Sequence, residues 1–135
     1  MGSPRTKQVV AALIIRENEI LICQRAQGQA MPLKWEFPGG KVEPDEDLKV
    51  ALRRELDEEL GIDADIGQKV AAIQHTYAGG NAIELHFYRV DQFEREIQNR
   101  IFHDVRWVDR KQLPTYDFLE ADRGLVKEIS TGNIL

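Results

Sequence analysis

The sequence predicts an α+β or α/β sandwich, a mixed β-sheet between helices with one helix on each side. Three observations predict it. Segments rich in β-branched residues with period-two character outnumber helical ones. Only two long stretches, ending near residues 60 and 129, carry helical spacing with start or stop signals. No segment repeats, so no repeat architecture competes, and at 135 residues the chain is large enough for one core and too short for two ordinary ones. Residues 1–7 are polar and read as a disordered tail, leaving 8–135 as a single domain.

Residues 8–16 (QVVAALIIR) and 19–25 (EILICQR) are apolar and β-rich and flank a short turn at Glu17 and Asn18, so they should pair as a central hairpin. Gly28 and Pro32 break residues 26–33 into a loop. A short strand over 34–37 then delivers Pro38, Gly39 and Gly40, where backbone without side chains can come close to a ligand. A helix follows from about Asp45 or Glu46 to Leu60, and Gly61 ends it as a C′ glycine does. Residues 65–77 and 82–90 read as paired strands around a turn at 78–81, 91–102 as polar and irregular, and 104–108 as a last strand around Trp107. Residues 109–113 suggest a helical turn, and 122–129 a closing helix with Asp122 as its N-cap.

Composition excludes several classes. Charged residues make up 30% and apolar ones 42%, the balance of a globular protein, and much of the acid behind the net charge of −5 lies between residues 43 and 65. That concentration points to a local acidic site. No basic block suggests a nucleic-acid polymer as partner. Cys23 is the only cysteine, which excludes an internal disulfide and a cysteine-based zinc cage and suggests a reducing, cytoplasmic setting. The longest apolar run, residues 9–15, is too short to span a bilayer, so no membrane partner is expected.

The acidic site lies on the first helix. Glu55, Glu58 and Glu59 sit at i, i+3 and i+4 and share one face, crowding three carboxylates into an arc of roughly 100°. Leu52, Leu56 and Leu60 form the neighbouring apolar stripe, so one side of the helix packs on the sheet and the next faces a cleft. Oxygen ligands without interleaved cysteine or histidine suit a hard divalent ion, Mg²⁺ or Mn²⁺. Arg54 can orient the adjacent Glu55, while Gly39 offers a carbonyl and Gly40 a tight turn at the cleft mouth. Such a constellation fits metal-assisted attack of water on a phosphoanhydride. A Glu-rich helix is ordinarily a solvated surface helix. Here the spacing argues otherwise.

That spacing is Gly40, five residues, Glu46, seven residues, Arg54-Glu55, two residues, Glu58-Glu59, one residue, Gly61 and an apolar residue. It is the complete Nudix box, whose chance occurrence in such a chain is roughly one in ten million. With the WEFPGGKVE lead-in, Gln24-Arg25, the Trp107-Val108 pair and the LEADRGLVKEI tail, the chain resembles the MutT-type branch of the Nudix hydrolases from about residue 8 to residue 129.

The resemblance implies an α/β/α sandwich and a pyrophosphohydrolase that turns a nucleoside triphosphate into its monophosphate and pyrophosphate. The substrate is a small nucleotide, expected to be 8-oxo-dGTP or a related modified dNTP in nucleotide-pool sanitising, with (d)CTP or 5-methyl-dCTP as the alternative. It implies Glu55, Glu58, Glu59 and the Gly39 carbonyl as metal ligands, and Glu55, Arg54 and Glu58 as the catalytic set. Arg25 and Lys41 would contact phosphate, Phe37 and Asp122 the base, and Gly40, Glu46 and Gly61 would shape the motif. A monomer or homodimer is expected. A non-catalytic nucleotide sensor of the same fold is the reading of another class, and an intact box argues against it.

One position departs from the pattern. MutT-type proteins commonly carry a glutamate six residues before the tryptophan of the last strand, where this chain has Ile101, followed by Phe102. Asp104, Glu96 or Glu94 are the acids near enough in sequence to replace it. Trp35, Tyr77 and Tyr116 are further aromatic candidates for stacking on a base.

Overall fold

A computed structural model describes residues 6–135. The elements run β1 (Lys7–Arg16), β2 (Glu19–Gln24), β3 (Trp35–Glu36), β4 (Gly39–Lys41), α1 (Leu48–Leu60), β5 (Asp63–Asp65), β6 (Lys69–Thr76), β7 (Ala82–Val90), β8 (Gln92–Glu94), β9 (Asp104–Asp109) and α2 (Arg123–Ser130). Two 3₁₀ turns, Arg110–Thr115 and Glu120–Asp122, precede α2.

The main sheet has the order β3-β2-β1-β7-β6, with β4 also pairing β1 and β9 also pairing β2. It is mixed because β1 and β7 run parallel while the other pairs are antiparallel. Strand β1 is buried on both faces, which explains its nearly unbroken apolar run. Val10, Ala12 and Ile14 face a core shared with Leu52, Leu56 and Leu60 of α1. Ala11 and Leu13 face a second core with Phe37, Phe87, Phe118 and the α2 residues Leu125, Val126 and Ile129. A sandwich with a helix on each side is therefore what the alternation along one strand produces.

The sequence reading needs four local corrections. The tail expected over residues 1–7 falls mostly outside the described residues, and Lys7 already belongs to β1. Helix α1 begins at Leu48: the Asp47 carboxylate caps the Lys49 N–H at 3.1 Å, and Asp45 is held at φ 63°, which no helix admits. The strand expected over 65–77 is two strands, because the chain crosses at Gly67, whose N–H donates to the Arg89 carbonyl. Its first piece, β5, leaves the main sheet to pair with β8, inside the segment read as irregular. Three-residue strands carry too little periodicity to be seen in a sequence.

His86 of β7 is buried on the α1 side of the sheet, near the Tyr88 that joins that core. Lys69 Nζ donates to its Nδ1 at 2.9 Å, and its Nε2 lies 2.6 Å from Gln8 Oε1 and 3.2 Å from Glu84 Oε1. A neutral ring protonated on Nε2 satisfies these partners, and a second proton would face the Lys69 ammonium. Burial first, and Lys69 second, hold the His86 pKa below its usual value against the pull of Glu84. The neutral form thus stabilises the fold at a pH above about 6.5, the ordinary histidine value, and this contribution is lost as pH falls through the depressed pKa. Urea midpoints at pH 7.5 and pH 5 should fall further for the wild type than for His86→Gln. Equal falls would show that His86 is not linked to folding.

Candidate active site

The site forms where β4 meets α1. Strand β4 is held by β1, with Val10 opposite Gly40 and Ala11 opposite Gly39, and α1 packs over the same strands. This brings the glycine backbone against the helix carboxylates. A Cβ on Gly40 would stand 2.5–2.7 Å from the Glu55 carboxyl atoms, so only glycine allows Glu55 its place. The Gly39 N–H donates to Glu59 Oε1 at 3.2 Å, which gives this residue a role as donor beside the expected carbonyl.

Arg54 organises the surrounding acids. Its Nε and Nη2 donate to the two Glu46 carboxylate oxygens at 2.8 and 2.9 Å, a bidentate pair. Its Nη1 donates to Glu55 at 3.0 Å and reaches Glu58 at 3.5 Å, and Nη2 also donates to the Lys41 carbonyl at 3.2 Å. One guanidinium thereby ties the helix to the β4 exit. The Glu46 carboxyl, bonded by Arg54 and by the Glu43 N–H, is held down to about 2, and the Arg54 pKa is raised in turn.

The carboxylates nearer the sheet are in the opposite condition. Glu59 is only 9% exposed, and burial, then the charges of Glu55 and Glu36, push it up to about 9 against the Gly39 N–H. Burial also raises Glu55, with Arg54 opposing. Glu58 stays outside, its side chain 59% exposed. Among the described residues no three His, Cys, Asp or Glu side chains stand ready-made at ligand spacing. The donor set nevertheless fits a hard divalent cation: Glu55 and Glu59 are all-oxygen groups, and their mutual repulsion is what a cation between them would relieve.

These residues border a cavity of about 420 Å³ whose lining includes Gly39, Gly40, Lys41 and Glu59 together with Arg25, Glu36, Tyr77 and Asp122. A larger, more open hollow of 850 Å³ borders the other flank of α1, where Arg53 and Asp63 are already paired; it contains none of the box carboxylates.

The structure brings most of the predicted residues together. Arg25 lines the cavity, but its Nη1 donates to Glu36 at 3.1 Å and its Nε to the Ala30 carbonyl at 2.9 Å. Phe37 forms part of the wall while packing against Phe118 and Phe87 in the second core. Asp122 sits at the N-cap position of α2 without capping it; the side chain makes no cap bond and is buried at the cavity. Burial and the Glu36 charge push it up to about 8. Of the further aromatic candidates Tyr77 also lines the cavity, whereas Trp35 and Tyr116 pack edge-on against each other at 5.1 Å. Gly61 lies at the helix end, outside the cavity. Ile101, 45% exposed, lines the cavity beside Phe102, whereas Asp104, Glu96 and Glu94 do not reach it. Asp104 instead accepts from Val105 N–H and Arg106 Nε.

Glu36 was not singled out by sequence reasoning. Strand alternation turns it to the face away from Trp35 and Phe37, and only the approach of α1 with Glu59, and of the segment before α2 with Asp122, makes that face part of the site.

The NUDIX domain model matches residues 5–129. The chain belongs to the Nudix family. A CTP pyrophosphohydrolase of Escherichia coli is 40% identical over 120 residues, covering 89% of this chain and 88% of that Nudix relative. An 8-oxo-dGTP diphosphatase of Haemophilus influenzae is 34% identical over 123 residues, covering 90% of each. Solved MutT, studied from Aliivibrio salmonicida and Vibrio cholerae, superposes with a TM-score of 0.80 at 30% identity, over 94% of this chain and 98% of that one. The family and the sandwich expected from the box are thus the ones found.

The Gly40 contact yields a direct test. Gly40→Ala should keep the fold, since the added methyl meets a side chain, yet displace Glu55 and lower turnover by roughly a hundredfold. Wild-type turnover in a folded variant would mean that Glu55 need not sit where the structure places it.

Proposed function

We propose that this Nudix chain is a metal-dependent nucleoside triphosphate pyrophosphohydrolase, cleaving a nucleoside triphosphate with water to the monophosphate and pyrophosphate. The observation that carries this reading is one cavity that brings Glu59 of the box and the Gly39-Gly40 turn together with the buried Asp122 and the half-buried Glu36. A triphosphate belongs beside Glu59 and the glycine turn, and a base beside Asp122. Glu55, Glu58 and Glu59 hold Mg²⁺ or Mn²⁺, which when bound screens phosphate charge and acidifies a water. Arg54 fixes the rotamer of Glu55, the candidate base for that water. Lys41 faces the phosphates from the cavity rim. Arg25 joins it there with the donors left free by Glu36 and Ala30.

For the base, the state of Asp122 favours cytidine. A carboxyl whose pKa stands near 8 is mostly protonated at pH 7, so it donates one hydrogen bond and accepts another. The cytosine edge presents the complementary pair, an amino donor and a ring-nitrogen acceptor. The activity named for the Escherichia coli relative supports the same choice. The second reading, an oxidised purine triphosphate, is favoured by the diphosphatase relative, and an ionised Asp122 would suit the two donors of a guanine edge.

Pyrophosphate release with and without Mg²⁺ across CTP, dCTP, 5-methyl-dCTP, dGTP and 8-oxo-dGTP decides between them. The cytidine compounds should lead at pH 7. Their advantage over 8-oxo-dGTP should shrink as pH rises through about 8 and Asp122 ionises beside Glu36 and Tyr77, and Asp122→Asn should remove that pH dependence. An invariant ratio from pH 7 to pH 9 would rule out Asp122 as the base reader. Silence across the panel would end the hydrolase reading itself.

Glu58→Gln should lower turnover by roughly a hundredfold with an unchanged melting temperature, because its side chain is mostly in solvent. Near-normal activity would remove Glu58 from the metal site.

A further inference from the structure

Helix α1 ends under electrostatic strain. Asp57, Glu58 and Glu59 occupy its last turn, which holds no basic residue, so three acids stand at the negative end of the helix dipole. The compensation comes from the loop before β9. Arg100 Nη1 donates to the Asp57 carbonyl at 3.0 Å, the Arg100 N–H to the Glu59 carbonyl at 3.2 Å, and the Gln98 N–H to the Leu60 carbonyl at 2.8 Å. Two orphan carbonyls of the helix end, those of Glu59 and Leu60, are thereby satisfied, and the Asp57 carbonyl, already bonded by the Gly61 N–H, gains a second donor. The loop also braces itself, with Gln98 Oε1 accepting from Arg100 Nε and Nη2. Gly61 leaves the space: a Cβ there would stand 2.9 Å from Arg100 Nη2. The next residue, Ile101, lines the active-site cavity.

We propose that residues 98–102 clamp the catalytic helix and that Arg100 is a positioning residue, fixing the last turn of α1 so that Glu59 meets the Gly39 N–H and the metal. The inference rests on the assignment of Glu59 as a metal ligand. Where the family's usual pattern places a carboxylate on this loop, this chain places Ile101, and the loop acts on the site through the adjoining cation. Arg95, which donates to Asp57 Oδ1 at 3.3 Å, supports the same turn from outside.

Mn²⁺ titrated into the nucleotide-free protein and followed by electron paramagnetic resonance reads the site without turnover. Arg100→Ala should weaken Mn²⁺ binding roughly tenfold. Arg100→Lys, which keeps a cation at the helix end but loses the fork, should recover part of it. A lowered melting temperature with unchanged Mn²⁺ affinity would mean a merely structural role and overturns the proposal. Glu59→Gln separates the two assignments. If it leaves Mn²⁺ binding intact, the metal-ligand assignment fails, and the clamp is judged by amide hydrogen exchange at Leu60 and Gly61. Faster exchange in Arg100→Ala then supports the clamp, and unchanged protection overturns it.

Discussion

Burying Glu59 between the sheet and α1 is the constraint on which the rest of this structure depends. A carboxylate that is 9% exposed, with Glu55 and Glu36 as electrostatic neighbours, costs several kcal/mol unless something offsets it. In the protein alone the offset is a single backbone N–H, from Gly39. The pKa of about 9 expresses what is left over: the group takes up a proton sooner than carry an unpaired charge. On the proposed reading a divalent cation would take the place of that proton. The same repulsion that opposes folding would then become affinity for the ion, and the fold creates it by placing one helix face against one glycine turn.

Arg54 keeps this arrangement from flying apart. Its five donors are distributed over Glu46, Glu55, Glu58 and the Lys41 carbonyl, so it sets side-chain orientation and joins α1 to the segment leaving β4. A lysine would offer the charge without the fork. This accounts for an arginine at a position that faces away from the cavity, and for Glu46 lying outside the helix proper: its task is to receive the guanidinium, and the turn closed on the Glu43 N–H holds it there.

Asp122, in the same cavity, repeats the logic with a different outcome. Asp122 and Glu36 are carboxyls raised by burial, and Arg25 partly relieves only Glu36. Tyr77, Phe37 and Leu119 line the same cavity. A proton is the natural counter-charge here, which turns Asp122 from an acceptor into a donor–acceptor pair. On the proposed reading Glu59 and Asp122, two raised carboxyls in one hollow, would thus differ in the counter-charge they call for.

The periodicities of residues 8–25 and 48–60 were enough to place the central hairpin and the helix with its apolar and acidic sides, because those patterns are local and long. The box spacing likewise announced the family, since it encodes which residues share a helix face and which glycines precede it. What the chain alone did not disclose depends on contacts distant in sequence. Glu36 becomes part of the site only because α1 covers its face of the sheet, and Asp122 turns inward because α2 packs on the opposite core. Three-residue strands such as β5 and β8 exist only through each other. Burial and charge proximity are properties of the folded neighbourhood, so the protonation of Glu59 and Asp122, on which the proposed metal and base preferences rest, was decided by the tertiary structure.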